Sequence, residues 1–317
     1  MRKTLVTGAA GFIGSHLTDR LLEQGDRVLG LDNFDPYYDP AIKRRNLQGA
    51  LKSQDFELVE GDLCDYEGMV KVLNRFRPDV VVHLAARAGV RPSILEPRLY
   101  ERVNVGGTTN LLEAMRHSGC PRLVYGSTSS VYGRASRPPF AEDSPVDQPL
   151  SPYAATKRAG ELLAYTYHHL HGLRTTCLRF FTVYGPRQRP EMAIHFFSRL
   201  ILERRPIPFF GSGDSTRDYT YVDDILDGVL RAIDHEEGYG IYNLGESAVT
   251  TLRELVDMLS AALGVPAVLQ PMQDQPGDVP ATCADIRRAR AVLGFQPQIP
   301  LAEGLKRFVA WLREERR

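Results

Sequence analysis

The chain has 317 residues, of which 43% are apolar and 25% charged, and its 39 Lys plus Arg balance 39 Asp plus Glu. That composition is ordinary for a globular protein and excludes disordered, collagen-like and coiled-coil classes. Zero formal net charge gives no electrostatic reason to expect nucleic acid or an anionic membrane as partner. No apolar run approaches bilayer length. Met1-Arg2-Lys3 reaches Gly8 too soon for a signal peptide, so the cytoplasm is the expected location.

In chain order, residues 3–7, 27–32, 56–60, 80–84, 122–127 and 175–180 read as short buried strands. Amphipathic segments at 13–23, 66–76, 99–117 and 153–171 lie between them and read as helices. Strand and helix alternating at this spacing predict an α/β fold, a doubly wound parallel sheet covered on both faces. After Tyr184-Gly185, Pro186, Pro190, Pro206 and Pro208 interrupt the pattern. Shorter strands at 207–210, 241–244 and 267–270 then mix with helices at 222–234, 251–263 and 301–315. The reading is a Rossmann domain over 1–180 and a smaller α+β lobe over 181–317, with 218–234 returning to the first.

Cys64, Cys120, Cys177 and Cys283 contain no Cys-x-x-Cys pair and read as reduced, partly buried thiols. His168, His169 and His171 read as a solvated helix end, because their spacing is poor for a metal, and no metal is expected.

The first strand runs straight into Thr7-Gly8-Ala9-Ala10-Gly11-Phe12-Ile13-Gly14. Gly8, Gly11 and Gly14 permit a tight turn, close approach of backbone to a pyrophosphate, and close helix–strand packing. The helix start at Phe12 and Ile13 then presents N–H groups to the phosphates. The second strand ends at Asp32, eighteen residues after Gly14. A carboxylate there accepts ribose hydroxyls and repels a 2′-phosphate, which favours NAD over NADP. Lys43, Arg44 and Arg45 in the next segment weigh the other way. A structural glycine turn with a chance carboxylate is the plain alternative. Asn33 and Lys43 join Asp32 in the expected cofactor set. Asp62-Leu63 follow the third strand toward the adenine rim, and Leu84-Ala85-Ala86 follow the fourth, where small residues let backbone lie against a dinucleotide. Asn104, in the next helix, either braces this site or packs the helix.

Ser151-Pro152-Tyr153-Ala154-Ala155-Thr156-Lys157 opens a helix: Ser151 suits the N-cap and Pro152 the first helical position. Tyr153 and Lys157 then share a face one turn apart. A neighbouring ammonium favours the phenolate, which makes Tyr153 a general base near neutral pH. The fifth strand ends in Ser127, Thr128, Ser129 and Ser130, hydroxyls at the carboxyl edge of the sheet, where ligands bind. Thr128 is placed to relay a proton or bind a substrate hydroxyl; ordinary turn chemistry accounts for Ser129 and Ser130 taken singly.

With these motifs assembled, the chain resembles the extended short-chain dehydrogenase/reductase family, and within it the nucleotide-sugar epimerases. The resemblance extends over nearly the whole chain, including 179–186 and 217–224. It implies a permanently held NAD, with Tyr153 taking the proton of a sugar hydroxyl, Lys157 also binding the nicotinamide ribose, and Thr128 assisting at the hydroxyl. Related dehydratases carry an acidic pair after the Thr, and decarboxylases a Glu at the second place. Ser129 and Ser130 stand there instead, which disfavours both reactions.

The stretches 33–39, 87–91, 187–193 and 277–282 resemble the glucuronate 4-epimerase branch, implying exchange of UDP-glucuronate and UDP-galacturonate through a 4-keto sugar. A hexuronate brings an added anion, and arginine binds carboxylates with two parallel hydrogen bonds. Arg87, Arg91 and Arg189 are therefore sensible ligands, and Thr182 stands where many neutral-sugar members have Asn. The expected sugar site holds Arg87, Ala88, Gly89, Val90, Arg91, Ser127, Thr128, Ser129, Thr182 and Arg189. The nucleotide falls to Phe196, Phe209, Arg217 and Asp278, with uracil not separated from thymine. Cys283 departs from the Tyr expected in this branch. A 4-epimerase of neutral UDP-hexoses or N-acetylhexosamines stays open. So does an NAD-sensing regulator, although intact Tyr153, Lys157 and Thr128 weigh against it. The family also implies a homodimer through the helices at 99–117 and 153–171.

Overall fold

The computed structural model describes residues 1–134, 136–236, 238–273 and 281–316. The chain divides into two units, one made of Met1–Ala135, Pro145–Arg179 and Val229–Tyr242, the other of Ser136–Ser144, Phe180–Gly228 and Asn243–Arg317. The chain passes from the first unit to the second after Arg179, and Ser136–Ser144, which the sequence reading left inside the first domain, falls in the second. The return to the first unit runs over 229–242 rather than 218–234, since it includes the strand that extends the large sheet.

The first unit runs β1 (Lys3–Thr7), α1 (Phe12–Glu23), β2 (Arg27–Asp32), α2 (Pro40–Asn46), β3 (Phe56–Glu60), α3 (Tyr66–Phe76), β4 (Val80–His83), α4 (Val90–Leu95) and α5 (Pro97–Tyr100). A π-helical turn (Glu101–Gly106) leads into α6 (Gly107–Ser118), followed by β5 (Arg122–Thr128), a 3₁₀ turn (Ser129–Tyr132), α7 (Pro152–His171) and β6 (Arg174–Phe180). With Tyr239–Leu244, the strands form a seven-stranded parallel sheet in the order (Tyr239–Leu244)-β6-β5-β4-β1-β2-β3. This is the doubly wound Rossmann arrangement. Strand order reverses between β1 and β4, which opens a crevice at their carboxyl ends. Central strands covered on both faces read as continuous apolar runs, and Leu5, Val6, Val80, Val81 and Val82 are all fully buried. β3, at the edge, is only half-buried.

The expected helix over 99–117 is instead two helices joined by the π turn, with Asn104 on that turn. Periodicity near 3.6 does not register one extra residue in a turn. Helix α7 begins as its sequence predicts: the Ser151 side chain accepts from the Ala154 N–H at 3.1 Å, and Pro152 takes the first position.

The second unit contains β7 (Thr182–Tyr184), α8 (Ala193–Leu202), β8 (Ile207–Phe210), β9 (Thr216–Arg217) and β10 (Tyr219–Tyr221). After α9 (Val222–Asp234) and β11 (Tyr239–Leu244), which carry the chain through the first unit and back, come β12 (Thr250–Thr251), α10 (Leu252–Leu263), β13 (Leu269–Met272), α11 (Arg287–Leu293) and α12 (Leu301–Glu315). Three two-stranded sheets, β10-β7, β12-β9 and β13-β8, support an α+β lobe. The strand expected at 267–270 lies two residues later, in parallel register with β8. Asp218 is fully buried and ties three segments together. Its carboxylate accepts from the N–H groups of Glu246 (2.8 Å), Ser247 (3.0 Å) and Ala284 (2.9 Å) and from the Thr220 hydroxyl (3.2 Å).

Candidate active site

The turn after β1 is held by sterics. Gly8 has φ +72°, a Cβ there would lie 2.8 Å from the Ala85 nitrogen, and a Cβ on Gly14 would overlap the Gly8 carbonyl oxygen. Helix α1 follows with no side-chain cap from Gly11 and no acidic residue in its first turn. Its amides and positive dipole end are thus left for an anion. A turn of glycines and alanines packed against Ala85, opening onto uncapped amides, fits a dinucleotide pyrophosphate.

Asp32, at the end of β2, is buried. One oxygen accepts from the Phe34 N–H (2.8 Å) and faces Lys43 Nζ (3.3 Å), and the other accepts from the Ala10 N–H (3.1 Å). The backbone bonds orient the carboxylate, and Lys43, itself buried, balances its charge. Exposed Asn33 donates to Asp62 at 3.2 Å, and Asp62 accepts from the Cys64 N–H at 2.8 Å. The buried Leu63 offers its carbonyl to Asn110 at 2.9 Å.

A buried relay that the sequence did not disclose lies beneath Leu84, Ala85 and Ala86. His83 Nδ1 meets the Thr7 hydroxyl at 2.8 Å and Nε2 meets the Thr108 hydroxyl at 3.0 Å. Thr108 donates to the Asn104 carbonyl at 2.6 Å, so it accepts from Nε2–H, and Nδ1 accepts from Thr7. Thr7 in turn accepts from the Ala85 N–H at 3.2 Å. Burial pushes the His83 pKa down to about 3, with Lys157 a second cause, so the ring is neutral. The Asn104 side chain accepts from the Arg87 N–H (2.8 Å) and donates to the Arg87 carbonyl (3.0 Å) and to Thr156 (3.1 Å). The Asn104 amide therefore ties the loop after β4 to the Tyr153–Lys157 turn of α7.

On α7, Tyr153 is half-buried with its ring edge-to-face on Tyr100, centroids 6.3 Å apart. Lys157 is 3% exposed, its Nζ 4.4 Å above the Tyr125 ring. Burial lowers the Lys157 ammonium to about 8, against the raising influence of Glu161 and Cys177. Thr128 closes β5 and caps the turn that packs on α7. Its hydroxyl accepts from the Ser130 N–H and meets the Ser130 hydroxyl, both at 3.2 Å. Ser129 and Ser130 are half-buried. The Ser127 hydroxyl turns to Glu161 instead, at 2.6 Å.

Glu161 and Arg179 form a fully buried, two-pronged ion pair, Nε–Oε1 and Nη2–Oε2 both at 2.9 Å. Arg158 adds a bond at 2.8 Å, and the Arg179 guanidinium lies 4.8 Å above the Tyr132 ring. The visible signals were an arginine inside an apolar strand and a glutamate one turn beyond Lys157.

The Arg87 guanidinium pairs with Asp35 and Glu96 and covers the Tyr37 ring, so its side chain already has acidic partners inside this unit. The Ala88 carbonyl accepts from the Tyr100 hydroxyl at 2.7 Å, Gly89 has φ +103°, and Val90 and exposed Arg91 begin α4.

In the second unit, Thr182 pairs with β10 through the Asp218 carbonyl at 3.0 Å. Arg189 Nε lies 3.0 Å from Glu191. Phe196 is half-buried on α8, whereas Phe209 is buried against Gly213 with Arg253 5.1 Å over its ring. Arg217 donates to the Thr216 carbonyl at 2.9 Å. Asp278 lies outside the described residues. Cys283 is half-buried, and burial raises its thiol pKa.

A Rossmann sheet, an uncapped glycine turn and a Tyr–Lys helix together define a dinucleotide-dependent enzyme class. The chain matches the NAD dependent epimerase/dehydratase family over residues 4–245 and belongs to it. It is 44% identical over 311 residues to the UDP-glucuronate 4-epimerase of Thermodesulfobacterium geofontis, covering 98% of this chain and 96% of that protein. It is 45% identical over 325 residues to UDP-glucuronate 4-epimerase 5 of Arabidopsis thaliana, covering 97% and 74%. Its structure is similar to that of the Bacillus cereus UDP-glucuronic acid 4-epimerase solved with UDP-glucuronic acid and NAD, with a TM-score of 0.93, 36% identity and 99% of each chain covered. It is also similar to the Thermotoga maritima UDP-glucose 4-epimerase solved with UDP-glucose, with a TM-score of 0.92 and 32% identity, covering 99% of this chain and 100% of that one.

Proposed function

We propose that this chain is an NAD-dependent UDP-glucuronate 4-epimerase, an isomerase that interconverts UDP-glucuronate and UDP-galacturonate through a transient 4-keto sugar. One observation carries the reading: half-buried Tyr153 and buried Lys157 stand one turn apart on α7, in the unit that also presents the glycine turn and Asp32. Bound NAD supplies the acceptor and later the donor of the C4 hydride. Gly8, Gly11 and Gly14 admit its pyrophosphate to the amides of Phe12 and Ile13, and Asp32 takes the adenosine ribose with Asn33, Lys43, Asp62 and Leu63 around it. Leu84, Ala85, Ala86 and Asn104 form the nicotinamide side. Tyr153 takes the proton of the C4 hydroxyl and gives it back. Lys157, charged below about pH 8, favours the Tyr153 phenolate and binds the ribose. Thr128 holds the reacting hydroxyl. Ser129 and Ser130 offer no acid for elimination and leave epimerisation as the outcome.

The second unit serves the nucleotide sugar, with Arg189 and Thr182 for the hexuronate carboxylate and Arg217 and Phe196 for the diphosphate and base. Among the described residues no helix is long and apolar enough to cross a membrane, and a cytoplasmic place is part of the reading. A homodimer is part of it too. Leu162 and Tyr165 of α7 are each 51% exposed, and Leu162 lines a groove with Pro145, Val146, Pro149, Ala155 and Ala159 and the charged Asp147 and Arg158, a mainly apolar face that a second copy would cover.

The test incubates the purified protein, without added NAD, with UDP-glucuronate, UDP-glucose or UDP-N-acetylglucosamine and follows products by proton NMR. Only UDP-glucuronate is expected to equilibrate with its galacto epimer. Comparable turnover of UDP-glucose would move the assignment to neutral hexoses. An NAD-loaded protein that turns over none of the three would point to NAD sensing. Tyr153→Phe should keep its NAD and lose roughly a hundredfold or more in turnover.

A further inference from the structure

The segments that follow β2 and β4 are joined to each other, and the strand order β4-β1-β2 places the glycine turn of β1 between them. A link between these segments therefore passes over the carboxyl end of β1, where the α1 amides open. The link is made of matched groups. Arg87, with a side chain 12% exposed, pairs with Asp35 through Nη1 and lies 3.4 Å from Glu96 through Nη2. Its guanidinium is 4.9 Å from the centre of the Tyr37 ring. The Tyr37 hydroxyl fits against Gly89, where a Cβ would be only 2.9 Å away.

Both ends are anchored. The Arg87 peptide is held by Asn104 in both directions, at 2.8 and 3.0 Å. Asp35 Oδ1 also accepts from the Tyr37 N–H at 2.9 Å, and the Asp35 N–H donates to Asn33 at 3.0 Å. Phe34, with φ +51°, buries its ring at the base of the loop under Arg44, 4.3 Å away. An exposed ion pair contributes little. Here the guanidinium is mostly withdrawn from water and stacked on an aromatic face, so loss of the Asp35 charge leaves a poorly hydrated cation with only the exposed Glu96 beside it.

We propose that Asp35, Tyr37 and Arg87 form a clasp across the dinucleotide crevice that retains bound NAD. The inference rests on the NAD-dependent reading above and adds positioning residues that act on the cofactor's escape. A dinucleotide lying along the glycine turn, between Asp32 and the Leu84–Ala86 backbone, leaves only when the clasp parts. The clasp therefore governs dissociation and not the chemical step.

The experiment loads the holoprotein with radiolabelled NAD, chases it with excess unlabelled NAD and follows release by rapid filtration. Asp35→Asn keeps the acceptor for the Tyr37 N–H but loses the charge, so the loop still folds. It should release NAD on the order of tenfold faster than wild type, as expected when a largely buried guanidinium loses the nearer of its two acids. Tyr37→Leu should behave alike. Glu96→Gln, on the exposed arm, should stay within about twofold of wild type. Release at the wild-type rate in both Asp35→Asn and Tyr37→Leu would overturn the clasp, even if melting temperatures fell, because the contacts would then serve stability alone. A wild-type protein that takes up no NAD would overturn the cofactor reading and the clasp with it.

Discussion

Lys157 carries a stability cost that follows from its place. An ammonium withdrawn from water favours its neutral form, and burial brings this one from the usual 10.5 to about 8. Between those two values the folded chain binds fewer protons than the unfolded chain. The penalty is complete below pH 8 and is relieved as pH rises toward 10.5. Lys157→Met should therefore raise the melting temperature of cofactor-free protein at pH 7 by roughly 2 to 6 °C, with the gain shrinking at pH 10, while epimerase activity is lost. Calorimetry at the two pH values checks the sign. The role proposed for Arg189 makes a different demand. Oxidation at C4 of UDP-glucuronate makes a β-keto acid, which loses carbon dioxide when the breaking bond stands perpendicular to the ketone plane. A two-pronged arginine contact fixes orientation as well as charge. Arg189→Ala should raise the share of turnovers ending in UDP-4-keto-pentose, read by mass spectrometry. Lost epimerisation without added decarboxylation would make Arg189 a binding residue only.

Helix α7 joins chemistry to framework. One turn beyond Lys157, Glu161 ties α7 to Ser127 of β5 and Arg179 of β6, and thereby sets the helix against the strand ends. Removing one partner of a buried pair strands the other charge, so Glu161→Gln should cost about 3 to 5 kcal/mol, measurable as a lower urea midpoint with the slope unchanged. The start of α7 was legible because Ser151, Pro152, Tyr153 and Lys157 act over a single helical turn. The break in the helix predicted over 99–117 was not legible, since Gly106-Gly107 alone does not tell a π turn from an ordinary packed helix.

At the scale of the molecule, the exposed apolar face of α7 bears on assembly. Leu162→Glu puts a charge on that face and should shift sedimentation from dimer toward monomer without changing the far-ultraviolet dichroism. A wild-type monomer at micromolar concentration would remove the homodimer from the proposal. The sequence by itself determined the parallel sheet, the glycine turn, the carboxylate at the end of β2 and the Tyr153–Lys157 pair. Each of these is written in neighbours a few residues apart, through side-chain periodicity, backbone sterics or helix spacing. Only the tertiary structure decided which charges meet. Arg179 finds Glu161 across 18 residues, and Arg87 finds Asp35 across 52. His83 takes its tautomer from Thr7 and Thr108, on different elements. Burial makes an unpaired charge or donor costly, so partner choice is settled by what the fold brings within hydrogen-bond reach, a distance that sequence separation does not encode.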